Sequence, residues 1–116
     1  MGGVCGIVSV VFPEDRIKEL IAGMSNLQRH RGPEGHAVFT EGRVGIGFNG
    51  PVKPGRSRGM QPMRFPDDGV TVACDGRIYN RTELKSMMPA REYDTDGDAE
   101  VVLHLYRRMG TGFLRH

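Results

Sequence analysis

The segment from Val4 to Val11 is almost continuously apolar and rich in β-branched residues. Such a run predicts a short strand that is buried on both faces of a sheet. After Pro13, the apolar residues of segment 14–28 recur at the spacing of one helix face: Ile17, Leu20, Ile21, Met24 and Leu27. The chain therefore has to combine buried strands with amphipathic helices.

Further strands are predicted downstream of this helix. Residues 36–40 and 43–48 have the pattern of a β-hairpin joined by Glu41-Gly42, and residues 70–74 have the pattern of another strand. Residues 49–66 are rich in Gly, Pro and Arg and predict a long loop, a kind of segment that is often functional. The hairpin-like pieces favour an α+β fold with antiparallel sheets.

Two more helices are expected near the end of the sequence. Asn80 is placed to cap the first of them, with Glu83 three residues later in a capping box, and Pro89 would stop it. The second spans residues 98–109 and ends at Gly110. No repeat or composition shift divides the chain, so residues 1–116 are interpreted as one domain.

The charge balance and the cysteine count exclude several classes of protein. The net charge is +2, from 16 basic and 14 acidic residues, which is too even to indicate binding to nucleic acid or to an anionic membrane. No apolar run approaches the roughly 20 residues that a membrane-spanning helix requires. Two cysteines, Cys5 and Cys74, do not make a disulfide framework, so the cytoplasm is the expected compartment.

No metal site or cofactor is expected. The four histidines have no metal-ligand spacing with the two cysteines. Residues 94–98 resemble the start of a calcium loop, but Ala99 and Leu105 stand where that loop requires glycine and glutamate. Of the histidines, His104 lies on the last predicted helix and is interpreted as a surface or boundary residue.

Cys5 has two interpretations when it is considered alone. A cysteine inside a buried strand is usually an inert core thiol. A cysteine at an amino terminus can instead use its own α-amino group as the base that activates the thiol. That amine titrates near neutral pH and can accept the proton.

Five short segments in order distinguish between these interpretations. They are Cys5-Gly6-Ile7, His30-Arg31-Gly32-Pro33-Glu34-Gly35, Gln61-Pro62-Met63, Asp75-Gly76-Arg77-Ile78-Tyr79-Asn80 and Asp98-Ala99-Glu100-Val101. In order and spacing the chain resembles the amino-terminal half of the class II, amino-terminal-nucleophile (Ntn) type, glutamine amidotransferase domain of asparagine synthetases. The resemblance implies an αββα sandwich of two antiparallel sheets between helices, of which this chain would form an incomplete part.

The resemblance also implies a reaction and a set of site residues. The terminal cysteine attacks the side-chain amide of L-glutamine, ammonia leaves for a separate synthetase domain, and a glutamyl thioester is hydrolysed to glutamate. Cys5 matches the nucleophile, and the backbone of Gly76 matches a donor of the oxyanion hole. Asp98 matches the carboxylate that binds the α-ammonium group of the substrate, and Arg31 with Gly32 matches the floor of the pocket.

Four positions depart from the family pattern. Residues 1–4 precede Cys5, so cleavage between Val4 and Cys5 is expected to be required for a free amine. Asp75 replaces the oxyanion-hole asparagine, and an ionised carboxylate has no hydrogen to donate. Arg77 replaces a substrate-binding glutamate, and Gly50 falls where an arginine grips the substrate carboxylate. The remaining arginines near this stretch, Arg56, Arg58 and Arg77, are candidates to replace that arginine.

Two functions follow from these observations. The chain is either a glutaminase, active after processing at Cys5, or a related binding or assembly module that has lost this chemistry. All four departures lie at the active site, which favours the second. An incomplete sheet leaves exposed edges, so the chain is expected to pair with a synthetase subunit or with a second copy, or to be a piece of a longer product.

Overall fold

The computed structural model describes residues 2–51, 60–65, 67, 69–88, 93–95 and 97–116. Within these ranges the strands are β1 (Gly3–Val8), β2 (His36–Glu41), β3 (Val44–Asn49), β4 (Met63–Phe65) and β5 (Val70–Val72). The helices are α1 (Glu14–Leu27), α2 (Arg81–Ser86) and α3 (Asp98–Met109), and 3-10 turns follow at Arg29–Arg31 and Gly110–Arg115. The predicted α+β composition with antiparallel sheets is confirmed.

The strands form two antiparallel sheets. Sheet A has the order β1-β3-β2, and sheet B pairs β4 with β5. The predicted hairpin of β2 and β3 is confirmed, and Gly42 supplies the positive φ of 55° that its tight turn needs. The predicted boundaries of α1 and α3 agree with the structure to within one residue, and Gly110 ends α3 with a φ of 59°.

The first strand is shorter and less buried than its sequence predicts. It ends at Val8, and the hydroxyl of Ser9 accepts hydrogen bonds from the amides of Val11 and Phe12, which turn the chain out of the sheet. Val8 and Val11 are 79% and 80% exposed. Burial on both faces of this strand was therefore a wrong prediction, because only one face of β1 is covered by α1.

Helix α1 approaches sheet A closely because β3 carries glycines at the contact. A Cβ atom on Gly45 would lie 2.8 Å from Cγ2 of Ile17, and Ile17 and Ile21 are fully buried there. One turn further along α1, the Ser25 hydroxyl donates to Asn49 Oδ1 at 2.7 Å, and Asn49 Nδ2 donates back to the Ser25 carbonyl at 2.6 Å. This pair satisfies the buried amide and fixes the end of β3 against the helix.

A second core lies between α2 and α3. Its buried residues are Leu84, Met88, Val101 and Leu105. Helix α3 also contacts both strands of sheet B. Each sheet is thus covered on one face by a helix, as an α+β architecture requires. No helix in the described ranges is both long enough and apolar enough to cross a membrane.

Two further predictions about local structure need correction. The long loop predicted for residues 49–66 contains the strand β4, which at three residues is too short to produce a clear pattern. Helix α2 does begin after Asn80, but no side-chain capping bond forms; Asn80 Nδ2 instead donates to the carbonyl of His116 at 3.0 Å. Pro89, expected to stop α2, and residues 52–59 lie outside the described residues.

His104 is buried, at 6% exposure, so its assignment to the surface or boundary was wrong. Its ring lies 4.8 Å from the ring centroids of both Phe65 and Tyr93, and Nε2 lies 3.5 Å from a carboxylate oxygen of Glu100. Glu100 is 2% exposed. Its carboxylate accepts the amides of Asp94 and Thr95 at 2.8 and 2.7 Å, and the Thr95 hydroxyl at 2.6 Å. These bonds fix the segment that precedes α3.

Candidate active site

Cys5 lies within β1, directly opposite Gly47 of β3. Its thiol faces α1, since a Cβ on Gly47 would come 2.7 Å from Cys5 Sγ and 3.4 Å from Cβ of Ser25. Burial raises the pKa of the Cys5 thiol, and a hydrogen bond with the Gly47 backbone opposes that rise only in part. A thiol with a raised pKa contains less thiolate at neutral pH and is correspondingly less reactive.

Arg31 and Asp75 meet beside the start of β1. Arg31 Nη2 lies 3.3 Å from Asp75 Oδ2, and the two side chains are 46% and 27% exposed. Both also bind Gly2: its N–H donates to Asp75 Oδ1 at 2.9 Å, and its carbonyl accepts from Arg31 Nε at 2.7 Å. We call these three residues the Gly2 clasp. Because the ion pair is partly exposed, its own contribution to stability is small, and the hydrogen bonds to buried Gly2 define the geometry.

Gly32 follows Arg31 and brings the backbone into contact with the end of β3. A Cβ on Gly32 would lie 2.6 Å from both the carbonyl carbon of Asn49 and the amide nitrogen of Gly50. The Gly50 amide donates to the Gly35 carbonyl at 3.1 Å. Two backbone segments therefore touch without intervening side chains, and this contact lies next to the Gly2 clasp.

Gly50, at the position where the resemblance implies an arginine, has no room for a side chain. A Cβ there would lie 2.5 Å from two ring carbons of Phe48. The arginine therefore cannot be restored without moving Phe48. Of the cations proposed to replace it, Arg56 and Arg58 lie outside the described residues, and Arg77 is exposed.

Replacing Gly50 by alanine is expected to lower the free energy of unfolding by about 1 kcal/mol, because the Phe48 ring can move away from part of the overlap. Gly23→Ala is the matched control, since a Cβ on Gly23 meets no atom within 4 Å. That change should be neutral or slightly stabilising within α1. Urea denaturation of both variants measures the difference, and equal midpoints would contradict the packing argument.

Asp98 is held in the first turn of α3. Its Oδ2 atom accepts the amide of Ile78 at 2.9 Å, and Oδ1 lies 3.4 Å from Arg81 Nη1. The Asp98 side chain is 18% exposed. The carboxylate that the resemblance assigns to the substrate ammonium group is thus oriented by a backbone donor and a cation on α2.

The thiol of Cys74 is influenced both by Asp75 of the Gly2 clasp and by Asp98. Burial raises the pKa of its thiol, and the negative charges of Asp98 and Asp75 raise it further, in that order. Its amide donates to Oε1 of Gln61 at 2.5 Å. Both predicted carboxylates are therefore close enough to the Cys74 thiol to raise its pKa.

Gly76 and Arg77 follow Asp75 and are exposed. A Cβ on Gly76 would meet no atom within 4 Å, so its backbone is open to an approaching group. The structure thus brings Arg31 and Asp75 into contact and orients Asp98 against Ile78 and Arg81, whereas the Cys5 thiol faces α1. Among the described residues, no group of three or more His, Cys, Asp or Glu side chains is arranged to hold a metal ion.

The sequence interpretation missed three participants, namely Gly2, Cys74 and Arg81. Arg81 had a usable signal, because a cation in the first turn of a helix is unfavourable for the helix dipole and indicates a specific anionic partner. Cys74 also had a usable signal, because it is adjacent in sequence to Asp75, which was itself a predicted site residue. Nothing in the sequence marked Gly2, whose role depends on contacts with residues far along the chain.

Comparisons of the sequence with known proteins identify its family. Residues 4–116 match the model of the glutamine amidotransferase domain family. The glutamine-hydrolysing asparagine synthetase 2 of Bacillus subtilis is 30% identical over 98% of this chain and 16% of its own length. Asparagine synthetase 1 of the same organism is 36% identical over 90% of this chain and 18% of its own length. The Zea mays asparagine synthetase is 30% identical over 98% of this chain and 20% of its own length.

The chain thus spans about a fifth or less of the length of these curated relatives. The matched region includes Cys5, both members of the Arg31–Asp75 pair and Asp98. The chain therefore belongs to the glutamine amidotransferase domain family and is asparagine synthetase-like.

Proposed function

We propose that residues 1–116 form the amino-terminal part of a glutaminase domain that hydrolyses L-glutamine to glutamate and supplies ammonia for amide transfer. The arrangement of α1 on sheet A and α3 on sheet B is compatible with one portion of an Ntn-type αββα sandwich. Completion of the sheets by a synthetase subunit or by a second copy belongs to this proposal, as does a cytoplasmic location, which rests on the cysteine usage.

The contact of Arg31 with Asp75 is the observation that supports the proposal most directly. These residues are 44 positions apart in sequence, and they come from two of the five segments that characterise the family. Asp98, from a third segment, acts on the same thiol as Asp75. Two family segments thus meet beside Gly2 and a third influences the neighbouring Cys74, which supports the proposal of a shared substrate pocket.

In the proposed reaction, cleavage between Val4 and Cys5 gives Cys5 a free α-amine, which takes the thiol proton. The sulfur then attacks the amide carbon of glutamine, and the Gly76 amide stabilises the negative charge on the oxygen. The C–N bond breaks, the nitrogen takes a proton, and ammonia leaves. Water hydrolyses the thioester to glutamate and regenerates the thiol.

Substrate binding is assigned to the residues around this centre. Asp98 binds the α-ammonium group, while Arg31 and Gly32 form the floor of the pocket. Arg77, exposed beside Gly76, is the described cation that we assign to the substrate carboxylate. Asp75 accepts hydrogen bonds and does not donate them when ionised, so it serves in binding and cannot replace the oxyanion-hole donor of the family.

Glutamate release from L-glutamine tests the proposal. The form of the protein that begins at Cys5 is expected to release glutamate, and Cys5→Ala in that form should return the rate to background because the nucleophile is absent. The form that retains residues 1–4 serves as the control and should be inactive, since Cys5 then has an amide in place of its amine. Equal rates for the Cys5 form and its Cys5→Ala variant would exclude the glutaminase function.

The second candidate is a binding or assembly module without glutaminase chemistry. It is favoured by the Cys5 thiol, which faces α1 and whose pKa is raised by burial. Background rates in every form, together with tight association with a synthetase subunit, are the results expected for this candidate.

A further inference from the structure

Gln61 continues the hydrogen bonding of sheet B beyond the end of its two strands. The pairing of β4 with β5 ends at Met63 and Val72. Gln61 lies two residues before the first of these, and Cys74 lies two residues after the second. Pro62 stands between Gln61 and β4, and proline has no N–H with which to extend a ladder. Oε1 of the Gln61 side chain accepts the Cys74 amide at 2.5 Å, so a side chain supplies the next bond.

The segment that runs from Cys74 to Ile78 is held at both ends by side chains from other parts of the chain. Gln61 binds the amide of Cys74 at one end. At the other end, Asp98 Oδ2 accepts the amide of Ile78 at 2.9 Å. Gly76 lies midway between these bonds, is exposed, and would bring a Cβ within 4 Å of no other atom. The two flanking bonds therefore determine where its N–H lies.

The middle of this segment loses one contact when the residues before Cys5 are removed. Asp75 Oδ1 accepts the amide of Gly2, and that bond does not exist in a form that begins at Cys5. The pair of Asp75 with Arg31 is partly exposed and is a weak restraint by itself. In the form with a free cysteine amine, the bonds at the two ends of the segment therefore become its main restraints.

We propose that Gln61 is a positioning residue for the oxyanion donor: its side-chain carbonyl holds the Cys74 amide and thereby sets the direction of the Gly76 N–H. The inference rests on the proposed function, in which that N–H stabilises the negative charge on the substrate oxygen. Such a donor has to be aimed, before the reaction occurs, at the place where the charge develops. Gln61 acts through the backbone of residues 74–76 and needs no contact with the substrate.

The first experiment measures glutamate release in the form that begins at Cys5. Gln61→Met keeps the length of the side chain but removes the carbonyl. Its kcat is expected to fall about 10- to 100-fold, against about 10²- to 10³-fold when such a donor is lost completely. KM for L-glutamine should change by less than about twofold, because the donor acts in the transition state. Gln61→Glu should restore most of the rate, since a carboxylate oxygen also accepts an N–H. Lys18→Met, at an exposed position of α1, is the control and should match the parent.

The second experiment observes the backbone by NMR of the full chain and does not depend on activity. In Gln61→Met the Cys74 amide should exchange with solvent about tenfold faster, because its bond is lost, and the Gly76 amide signal should shift. The amides of β5 should keep their exchange rates, which distinguishes the loss of one bond from general unfolding. Gln61→Glu and Lys18→Met should resemble the parent in all of these signals.

Together the two experiments separate failure of the positioning role from failure of the proposed function. Gln61→Met with the kcat of the parent, or Gln61→Glu with the same loss as Gln61→Met, overturns the inference. An unmoved Gly76 signal in Gln61→Met overturns it as well. Absence of glutamate release from the parent form contradicts the proposed function, and the Cys74 and Gly76 signals then decide the positioning role by themselves.

Discussion

Replacing Gly32 by alanine is expected to lower the free energy of unfolding by about 3 kcal/mol, the upper part of the range for overpacking. The new Cβ would lie 2.6 Å from the Asn49 carbonyl carbon and from the Gly50 amide nitrogen. These are backbone atoms at the end of a paired strand, so they cannot rotate away as the Phe48 ring can. Relief of the overlap requires the turn after Arg31 to move away from β3.

Gly76→Ala is the control for this prediction, because a Cβ there meets no atom within 4 Å. Its midpoint in urea should stay close to that of the parent chain. Displacement of the turn should also shift Arg31, so its hydrogen bond to the Gly2 carbonyl is expected to weaken in Gly32→Ala. A variant with unchanged stability would show that the two backbones are not in contact at this point.

Replacing Glu100 by alanine is expected to be destabilising to a similar extent, about 3 kcal/mol. The carboxylate accepts three hydrogen bonds from Asp94 and Thr95, and its removal leaves those donors without their acceptor. Each donor left unsatisfied in a buried setting costs about 1–3 kcal/mol, and solvent can reach part of this segment. Glu34→Ala, at an exposed position, should change stability by less than about 0.5 kcal/mol.

The same carboxylate gives a testable dependence on pH. Burial tends to raise the pKa of Glu100, but hydrogen bonds from the Thr95 hydroxyl and from the backbone of Asp94 and Thr95, with the nearby His104 ring, outweigh it and lower the pKa below its ordinary value of 4.5. A carboxyl group whose pKa is lower in the folded state contributes stability above its unfolded pKa. That contribution is lost as the pH falls through the pKa that the group has in the folded state.

The free energy of unfolding is therefore expected to fall as the pH drops below about 4.5, and more steeply in the parent chain than in Glu100→Gln. The glutamine side chain keeps one acceptor but does not titrate. Chemical denaturation at a series of acidic pH values measures how steeply the free energy of unfolding changes with pH in both proteins. Glu34→Gln is the control and should keep the pH dependence of the parent chain. Identical slopes in the parent and in Glu100→Gln would remove Glu100 as the cause.

Helix α3 and the β2–β3 hairpin were predictable because their determinants are local. The apolar spacing of residues 98–109 matches one helix face, and Gly110 takes the positive φ that ends the helix. The hairpin has one strand-forming segment on each side of Gly42, and the turn between them needs a glycine because φ is positive there. In each case the nearest neighbours in sequence carried the information.

Predictions failed where a side chain had competing partners. Asn80 had the residue type of a cap, but its amide donates to the carbonyl of His116. His104 had the polarity of a surface residue, yet two aromatic rings and Glu100 enclose it. A pattern within one helix cannot reveal which residues from other segments will be available as partners.

The order and spacing of short segments were sufficient, without coordinates, to establish the family of the chain. The direction of the Cys5 thiol and the occupant of the Arg31–Asp75 pair were decided by tertiary structure. Cys5 pairs with Gly47, which places its side chain on the face of sheet A that α1 covers, and a shift of one residue would turn it to the other face. Gly2 binds residues that lie 29 and 73 positions away in sequence. Strand register and such long-range contacts arise from the packing of the whole chain, so neither can be read from the residues around Cys5 alone.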